Sequence, residues 1–423
     1  MAVRTSRRAS AASSSRRRRH GPVDESAAVT PAGIDDFREM ARRRLPRFLF
    51  DYIDGGSFAE ETLRANEADL QTLKLRQRVM RDVGTVDLGT TLFGRPASFP
   101  VALAPIGLAG LYARRGEVQA ARAAEAAGIP FILSSSACCG IEEVAGGVTA
   151  PLILQLYMIK DRGFMEDLLA RTAALGVETL ILTVDLIIHS PRRRDVRSSL
   201  TGDQGLAAKL RRSFEIARHP GWAWDVGVRG RPHTLGNFAA RMPEGAGLAQ
   251  FTAWVGRNFD PTVTWADLDW LRQHWQGRLA IKGILDPDDA RDAVAAGAET
   301  IIVSNHGGRQ LDGAPSSIAA LPAVVAAVDG RADVLMDGGI RSGIDILRAL
   351  ALGAKGVLLG RAWAFALAAQ GGAGVTTMLS LMRHELAVAM ALAGQRDVGT
   401  VTRDALVTAP DPTDPPDSWW PDS

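Results

Sequence analysis

Between residues 101 and 361 the chain repeats one pattern. A short, continuous, often β-branched apolar run ends in a polar residue or glycine, and an Ala/Leu-rich segment of helical spacing follows. Eight such runs occur, at residues 101–105, 131–134, 152–157, 180–185, 279–282, 300–305, 334–337 and 357–360. Apolar runs without alternation belong to strands covered on both faces, so the pattern predicts a parallel sheet. The segments between them predict helices, for example over 162–175, 287–296 and 343–352, closed by Gly176, Gly297 and Gly353. Eight βα units over about 260 residues predict a (β/α)8 TIM barrel. A doubly wound sheet is disfavoured, because no G-x-G-x-x-G follows any run.

One connection is too long for a single unit. The chain from Asp185 to Leu279 predicts an insertion after strand 4, at about residues 196–275. It holds five of the nine tryptophans between Trp222 and Trp270, a sixth at Trp275, and a basic stretch at Lys209, Arg211, Arg212 and Arg218. Such a segment reads as a lid over the barrel mouth or as a membrane-facing patch. Residues 34–70 predict an N-terminal helical segment around the loop Asp54-Gly55-Gly56. The domain plan is therefore a leader at 1–30, a barrel domain at 31–407 and a Pro/Asp-rich tail at 408–423.

Charge sharpens the picture at the N-terminus. Residues 1–20 carry seven arginines and no acid, so a total of +2 leaves the rest of the chain at −5. No apolar stretch follows these arginines, which argues against a secretory or twin-arginine signal and predicts a disordered extension. No uninterrupted apolar run approaches the roughly 18 residues that cross a bilayer. Cys138 and Cys139, the two cysteines of the chain, are neighbours in sequence and predict reduced thiols of a cytosolic protein.

Barrel enzymes carry their chemistry at the C-terminal strand ends, and here those ends are unusually polar. Gln155 and Tyr157, Thr183 and Asp185, and Lys282 end the third, fourth and fifth runs; Ser304-Asn305-His306-Gly307-Gly308-Arg309 ends the sixth. Packing does not account for a histidine at a strand end beside two glycines and an arginine, so His306 is a candidate base. Asp337-Gly338-Gly339-Ile340-Arg341 and Gly360-Arg361 end the last two runs, where barrels commonly hold a phosphate against backbone N–H groups. No metal-ligand spacing is present, and no metal is expected.

These motifs, with Ile281-Lys282-Gly283 and Gln155-Leu156-Tyr157, resemble the FMN-dependent α-hydroxy acid dehydrogenase/oxidase family over about residues 34–407. Segments outside the site, at 75–80, 112–120, 161–165, 222–227 and 258–261, most resemble the respiratory, quinone-linked L-lactate dehydrogenases of bacteria. The resemblance implies that His306 is the catalytic base and Asp185 its partner. It implies that Arg309 and Arg192 bind the substrate carboxylate, that Tyr52 and Tyr157 donate to substrate oxygens, and that Lys282 faces the pyrimidine side of FMN. Ser134, Gln155 and Thr183 would contact the isoalloxazine, with Gly107 at its reactive face. Asp337, Gly338, Gly339, Arg341, Gly360 and Arg361 would hold the ribityl phosphate.

The implied reaction is oxidation of L-lactate to pyruvate on FMN, with electrons passed to a quinone or other respiratory acceptor. The alternative is another 2-hydroxy acid (mandelate, glycolate or a longer acid), possibly with oxygen as acceptor. A homo-oligomer, a tetramer by the family's habit, is also implied. Peripheral attachment to the cytoplasmic face of the cell membrane is expected from charge and aromatic placement, through residues 202–258 with help from the arginines of residues 1–20. Nucleic-acid binding by the leader is not expected of a chain whose chemical positions are all filled. The sequence departs from the family in three places, the first of them the arginine-rich leader, which the family's usual plan lacks. Leu186-Ile187-Ile188-His189-Ser190-Pro191 replaces a Pro- and Gly-containing loop, and Ala137-Cys138-Cys139-Gly140 is unusual near the end of strand 2.

Overall fold

The computed structural model describes residues 30–202, 205–241 and 248–407. The leader at 1–29 and the tail at 408–423 lie outside the described residues. All eight apolar runs form strands: β1 Val101–Leu103, β2 Ile132–Ser134, β3 Ile153–Tyr157, β4 Thr179–Thr183, β5 Arg278–Ile284, β6 Thr300–Val303, β7 Asp333–Asp337 and β8 Gly356–Leu359. Each is parallel to the next, β8 pairs with β1, and one parallel bridge between Leu103 and Phe131 joins β1 to β2. The sheet closes as a (β/α)8 barrel.

Strand alternation divides the barrel interior into two layers. Inward residues early in the strands (Ala102, Ile132, Ile153, Ile181, Ala280, Ile302, Leu335, Leu358) form one buried apolar cluster. A hairpin of Thr90–Leu92 and Arg95–Ala97 adds Leu92, Phe93 and Ala97 to it. Leu92 reaches Gly356 at the start of β8, so this hairpin plugs the N-terminal end. Two residues further along the strands the inward positions become Ser134, Gln155, Thr183, Lys282, Ser304 and Asp337, and the polar layer faces the opposite mouth.

Helices Ile34–Arg44, Arg47–Asp54 and Glu61–Thr72 form the N-terminal segment. The helix after β8, Arg361–Leu392, is long and apolar enough by length and composition to cross a membrane, which the uninterrupted-run criterion passes over. It breaks at Gln370-Gly371, and half of its apolar window is buried, packed on Ile34–Arg44, Gly116–Ala126 and Gly343–Ala351. It is a core helix of the barrel.

The insertion is helical, with Leu206–Arg218, Leu248–Asn258 and Asp267–His274 as its longer elements. Most of its tryptophans turn inward. Trp222 and Trp275 are buried, donating indole N–H bonds to the carbonyls of Leu111 (2.8 Å) and Arg278 (3.0 Å). Trp254, Trp265 and Trp270 pack partly against the main core, and Trp224 stands out at 61% exposure. An indole is large and amphipathic, and burial with a satisfied N–H is its commoner use. The outward apolar stripe is instead Leu206, Leu210 and Phe214, spaced i, i+4, i+8 and 61–73% exposed, beside the exposed Lys209 and Arg211.

Candidate active site

A pocket opens at the polar mouth of the barrel. Of the residues singled out from sequence, Tyr52, Gly107, Ser134, Tyr157, Thr183, Arg192, Lys282, His306, Arg309, Asp337, Gly338, Gly339, Arg341, Gly360 and Arg361 line it. Asp185 and Gln155 stand behind the lining. Gln155 is fully buried, accepting from Ser134 Oγ at 3.0 Å and donating through Nε2 to Thr183 Oγ1 at 2.9 Å. It therefore fixes the orientation of the two hydroxyls that face the pocket.

His306 is held unusually firmly. Its φ is +57°, and Gly307 and Gly308 follow at +66° and +69°, so three consecutive residues occupy the left-handed region. Such backbone persists only where its surroundings enforce it. Here Ser304 Oγ accepts from the His306 N–H at 3.0 Å, and Asn305 Oδ1 accepts from that of Gly308 at 3.0 Å. The Nδ1 of His306 lies 2.7 Å from Asp185 Oδ1. A carboxylate can only accept, so Nδ1 carries the proton and Nε2 is the basic nitrogen. Burial pushes the Asp185 carboxyl upward, but the His306 imidazole and the Lys282 ammonium outweigh it and hold the group below its ordinary range. Gly283, at φ +112° in a bulge of β5, admits this carboxylate, since a Cβ there would lie 2.7 Å from Asp185.

The pocket has an excess of positive charge. Arg192, Lys282, Arg309, Arg341 and Arg361 line it against one lining carboxylate, Asp337. Lys282 Nζ sits 2.9 Å from Asp337 Oδ2 and donates to Ser304 Oγ at 2.6 Å. Arg309 lies over the Tyr52 ring, 4.8 Å from its centroid, and donates to the carbonyls of Tyr52 and Gly55. Arg361 donates to the carbonyls of Ile53, Gly55 and Gly307. Burial first, then repulsion from Arg309 and Arg341, pushes its pKa down to about 9. Arg192 is likewise lowered by burial and by Arg309, and its Nε is buried with no partner among the described residues.

The N-terminal helices complete the site. Arg47–Asp54 delivers Tyr52. Asn66, on Glu61–Thr72, exchanges amide hydrogen bonds with Asn305 at 2.8–2.9 Å. Its carbonyl would lie 2.0 Å from a Cβ on Gly339 (φ +82°), so only glycine fits there. Other lining residues were not marked by any motif: Tyr112, Leu235 and Phe259. Tyr112 had one signal, being the third tyrosine of a chain with three. Phe259 lay in the 258–261 segment that carries the resemblance but was not given a site role, and Leu235 had no signal, since the insertion shows no strand end from which to count.

Comparison with known proteins agrees with this geometry. The chain is 57% identical to an L-lactate dehydrogenase of a Caulobacter species, over 88% of this chain and 97% of that one. It is 54% identical to an L-lactate dehydrogenase of Stenotrophomonas maltophilia, over 89% and 98%. Among solved structures it is similar to a monotopic membrane protein, (S)-mandelate dehydrogenase, with TM-score 0.84 and 34% identity over 89% of this chain and 99% of that one. It is also similar to a mandelate oxidase, with TM-score 0.75 and 36% identity over 88% and 97%. The model of the FMN-dependent dehydrogenase family matches residues 41–408, and the chain belongs to that family.

Proposed function

We propose that this flavoenzyme oxidises L-lactate to pyruvate and passes the electrons to a quinone or other respiratory acceptor. The observation that carries the reading is the His306–Asp185 pair at the edge of a pocket rich in cations. Relatives at 54–57% identity bearing the name L-lactate dehydrogenase support it.

The residues present fit FMN. At Gly360 a Cβ would meet no protein atom within 4 Å, which leaves room for a group against the backbone at the end of β8. The depressed Arg361 marks a place where an anion would relieve charge repulsion. Asp337, Gly338, Gly339, Arg341, Gly360 and Arg361 would hold the ribityl phosphate. Ser134 and Thr183, aligned by Gln155, would meet the isoalloxazine, with Gly107 at its reactive face and Lys282 at its pyrimidine side. When bound, FMN accepts the two electrons of the oxidation.

The protein's own groups supply the rest. Arg309 and Arg192 bind the substrate carboxylate, for which a planar guanidinium is suited, and the unpartnered Arg192 Nε is a donor waiting for such an acceptor. Tyr52 and Tyr157 donate to substrate oxygens. His306 takes a proton from the 2-hydroxy acid at Nε2, and Asp185 stabilises the imidazolium that results. Under anaerobic conditions L-lactate should bleach the visible flavin band. Acid should release FMN, identified by chromatography; FAD, or no bleaching with L-lactate, overturns the reading. Similarity to mandelate enzymes favours a second reading, another 2-hydroxy acid, and faster bleaching by mandelate than by lactate selects it.

We infer peripheral attachment at the cytoplasmic face of the cell membrane, through residues 202–258 with help from the arginines of residues 1–20. The Leu206, Leu210, Phe214 and Trp224 surface beside Lys209 and Arg211 supports this. Each basic residue near an anionic surface contributes about 1 kcal/mol, and salt screens that contribution. In sedimentation with anionic liposomes, deleting residues 1–25 should lower binding at low salt and leave flavin reduction in solution unchanged. The apolar surface should retain a salt-resistant fraction. Failure of both forms to sediment at low salt would exclude the attachment.

A further inference from the structure

We propose that Phe259, contributed by the insertion, is the specificity-determining residue of the pocket, and that its ring restricts the enzyme to 2-hydroxy acids with a short apolar substituent. The inference rests on the 2-hydroxy acid reading above and narrows it.

Phe259 is 5% exposed and lines the pocket. Its ring meets Tyr157 edge to face, with centroids 5.4 Å apart and planes at 86°. The His189 ring also stands edge to face against it at 5.0 Å. The position is anchored by backbone and by charge. Residues 258–260 run antiparallel to the segment that follows β3, through a bridge between Ile159 and Phe259 and a 2.8 Å bond from the Lys160 N–H to the Asn258 carbonyl. Asp260 then pairs with Arg162 at 2.9 Å. The backbone of a residue remote in sequence is thus held beside Tyr157, and its ring packs against both Tyr157 and His189.

The rest of the lining assigns the direction of the substrate. Its carboxylate is drawn to Arg192 and Arg309, and its hydroxyl to His306 and Tyr157. Leu186, next to Asp185 in the chain, Leu235 and Phe259 are apolar residues of the lining against which the remaining substituent on C2 can pack. Among these three, Phe259 packs its ring against Tyr157, the residue that meets the substrate hydroxyl in this reading. A methyl group requires little room there; each further methylene has to displace an anchored ring. One methylene in an apolar pocket discriminates by roughly 10- to 200-fold.

The test follows flavin reduction in the purified holoenzyme with L-lactate, L-2-hydroxybutyrate and L-2-hydroxyhexanoate, comparing kcat/KM along the series. The parent enzyme should decline steeply with chain length. Phe259→Ala should raise the ratio of 2-hydroxyhexanoate to lactate by at least about tenfold. Phe259→Leu, which keeps an apolar side chain and guards against loss of folding, should shift the ratio in the same direction by less. A merely structural role would lower all three substrates in proportion. An unchanged ratio in Phe259→Leu with its flavin bound overturns the proposal. If the parent enzyme is not reduced by lactate at all, the lactate reading fails, and Phe259 is still judged by the ratio of the two longer acids.

Discussion

Replacing His306 by Gln should leave FMN bound at full occupancy and slow flavin reduction by L-lactate by about 10²- to 10⁴-fold, the usual contribution of a positioned general base. Gln can reproduce the ring's hydrogen bond toward Asp185, but its amide nitrogen has no lone pair that accepts a proton. The backbone cradle is also preserved, because the bond from the residue 306 N–H to Ser304 Oγ does not involve the side chain. Substrate binding should change less than rate, since Arg309 and Arg192 remain. Rapid mixing under anaerobic conditions separates the two: the limiting rate constant reports the base, and its half-saturation reports the clamp. Near-parent reduction by His306→Gln would show that another group takes the proton.

The prediction is legible in the sequence because the site is built from strand ends. In a closed parallel barrel both faces of each strand are covered, so every strand is a continuous apolar run, and the first polar residues after it sit at the mouth. That rule places Gln155, Thr183, Lys282, Ser304 and Asp337 in one layer, with His306 just beyond it, without any knowledge of their contacts. It fails where position depends on packing between distant segments. Asn66 reaches Asn305 across 239 residues, and nothing local in Glu61–Thr72 announces it. In the insertion, several short helices each change direction, so tryptophan content alone does not reveal which indoles turn inward. Phe259 belongs to the same class: its place in the pocket comes from a bridge to Ile159, and the Asp260-Pro261 turn that follows it does not indicate which distant segment it pairs with. The replaced loop at 186–191 is intermediate. Its departure from the family is plain in sequence, whereas its anchoring is tertiary. Gln310 Nε2 donates to the carbonyls of Asp185 and Ile188, and Ser190 Oγ donates to the Gln310 carbonyl.

Lys282→Met should be the most damaging single change to stability within the polar layer, at about 3–5 kcal/mol. Lys282 is 4% exposed, with Nζ between Asp337 and Ser304. Burial opposes its charge, but Asp337 and Asp185 outweigh burial and raise the ammonium pKa above its ordinary value. The lysine is therefore charged in the folded protein, and the charge is held by carboxylates that are themselves withdrawn from water. Methionine matches the chain length and fills the space, so the loss is electrostatic rather than a cavity. It leaves Asp337 buried with neither oxygen paired to a side chain, since Oδ1 already has no partner. Because the folded pKa is raised, the stabilisation from Lys282 is fully present below the unfolded value of about 10.4. It is lost only as pH rises through the still higher folded value. The difference between parent and variant should then be flat from pH 6 to 9 and shrink above pH 10.5. Urea unfolding of the flavin-free proteins, followed by tryptophan fluorescence across that range, measures it. A difference below about 1 kcal/mol at pH 7 would mean that the pair is solvated, as exposed pairs are, and would remove Lys282 as a fixed cation for the flavin.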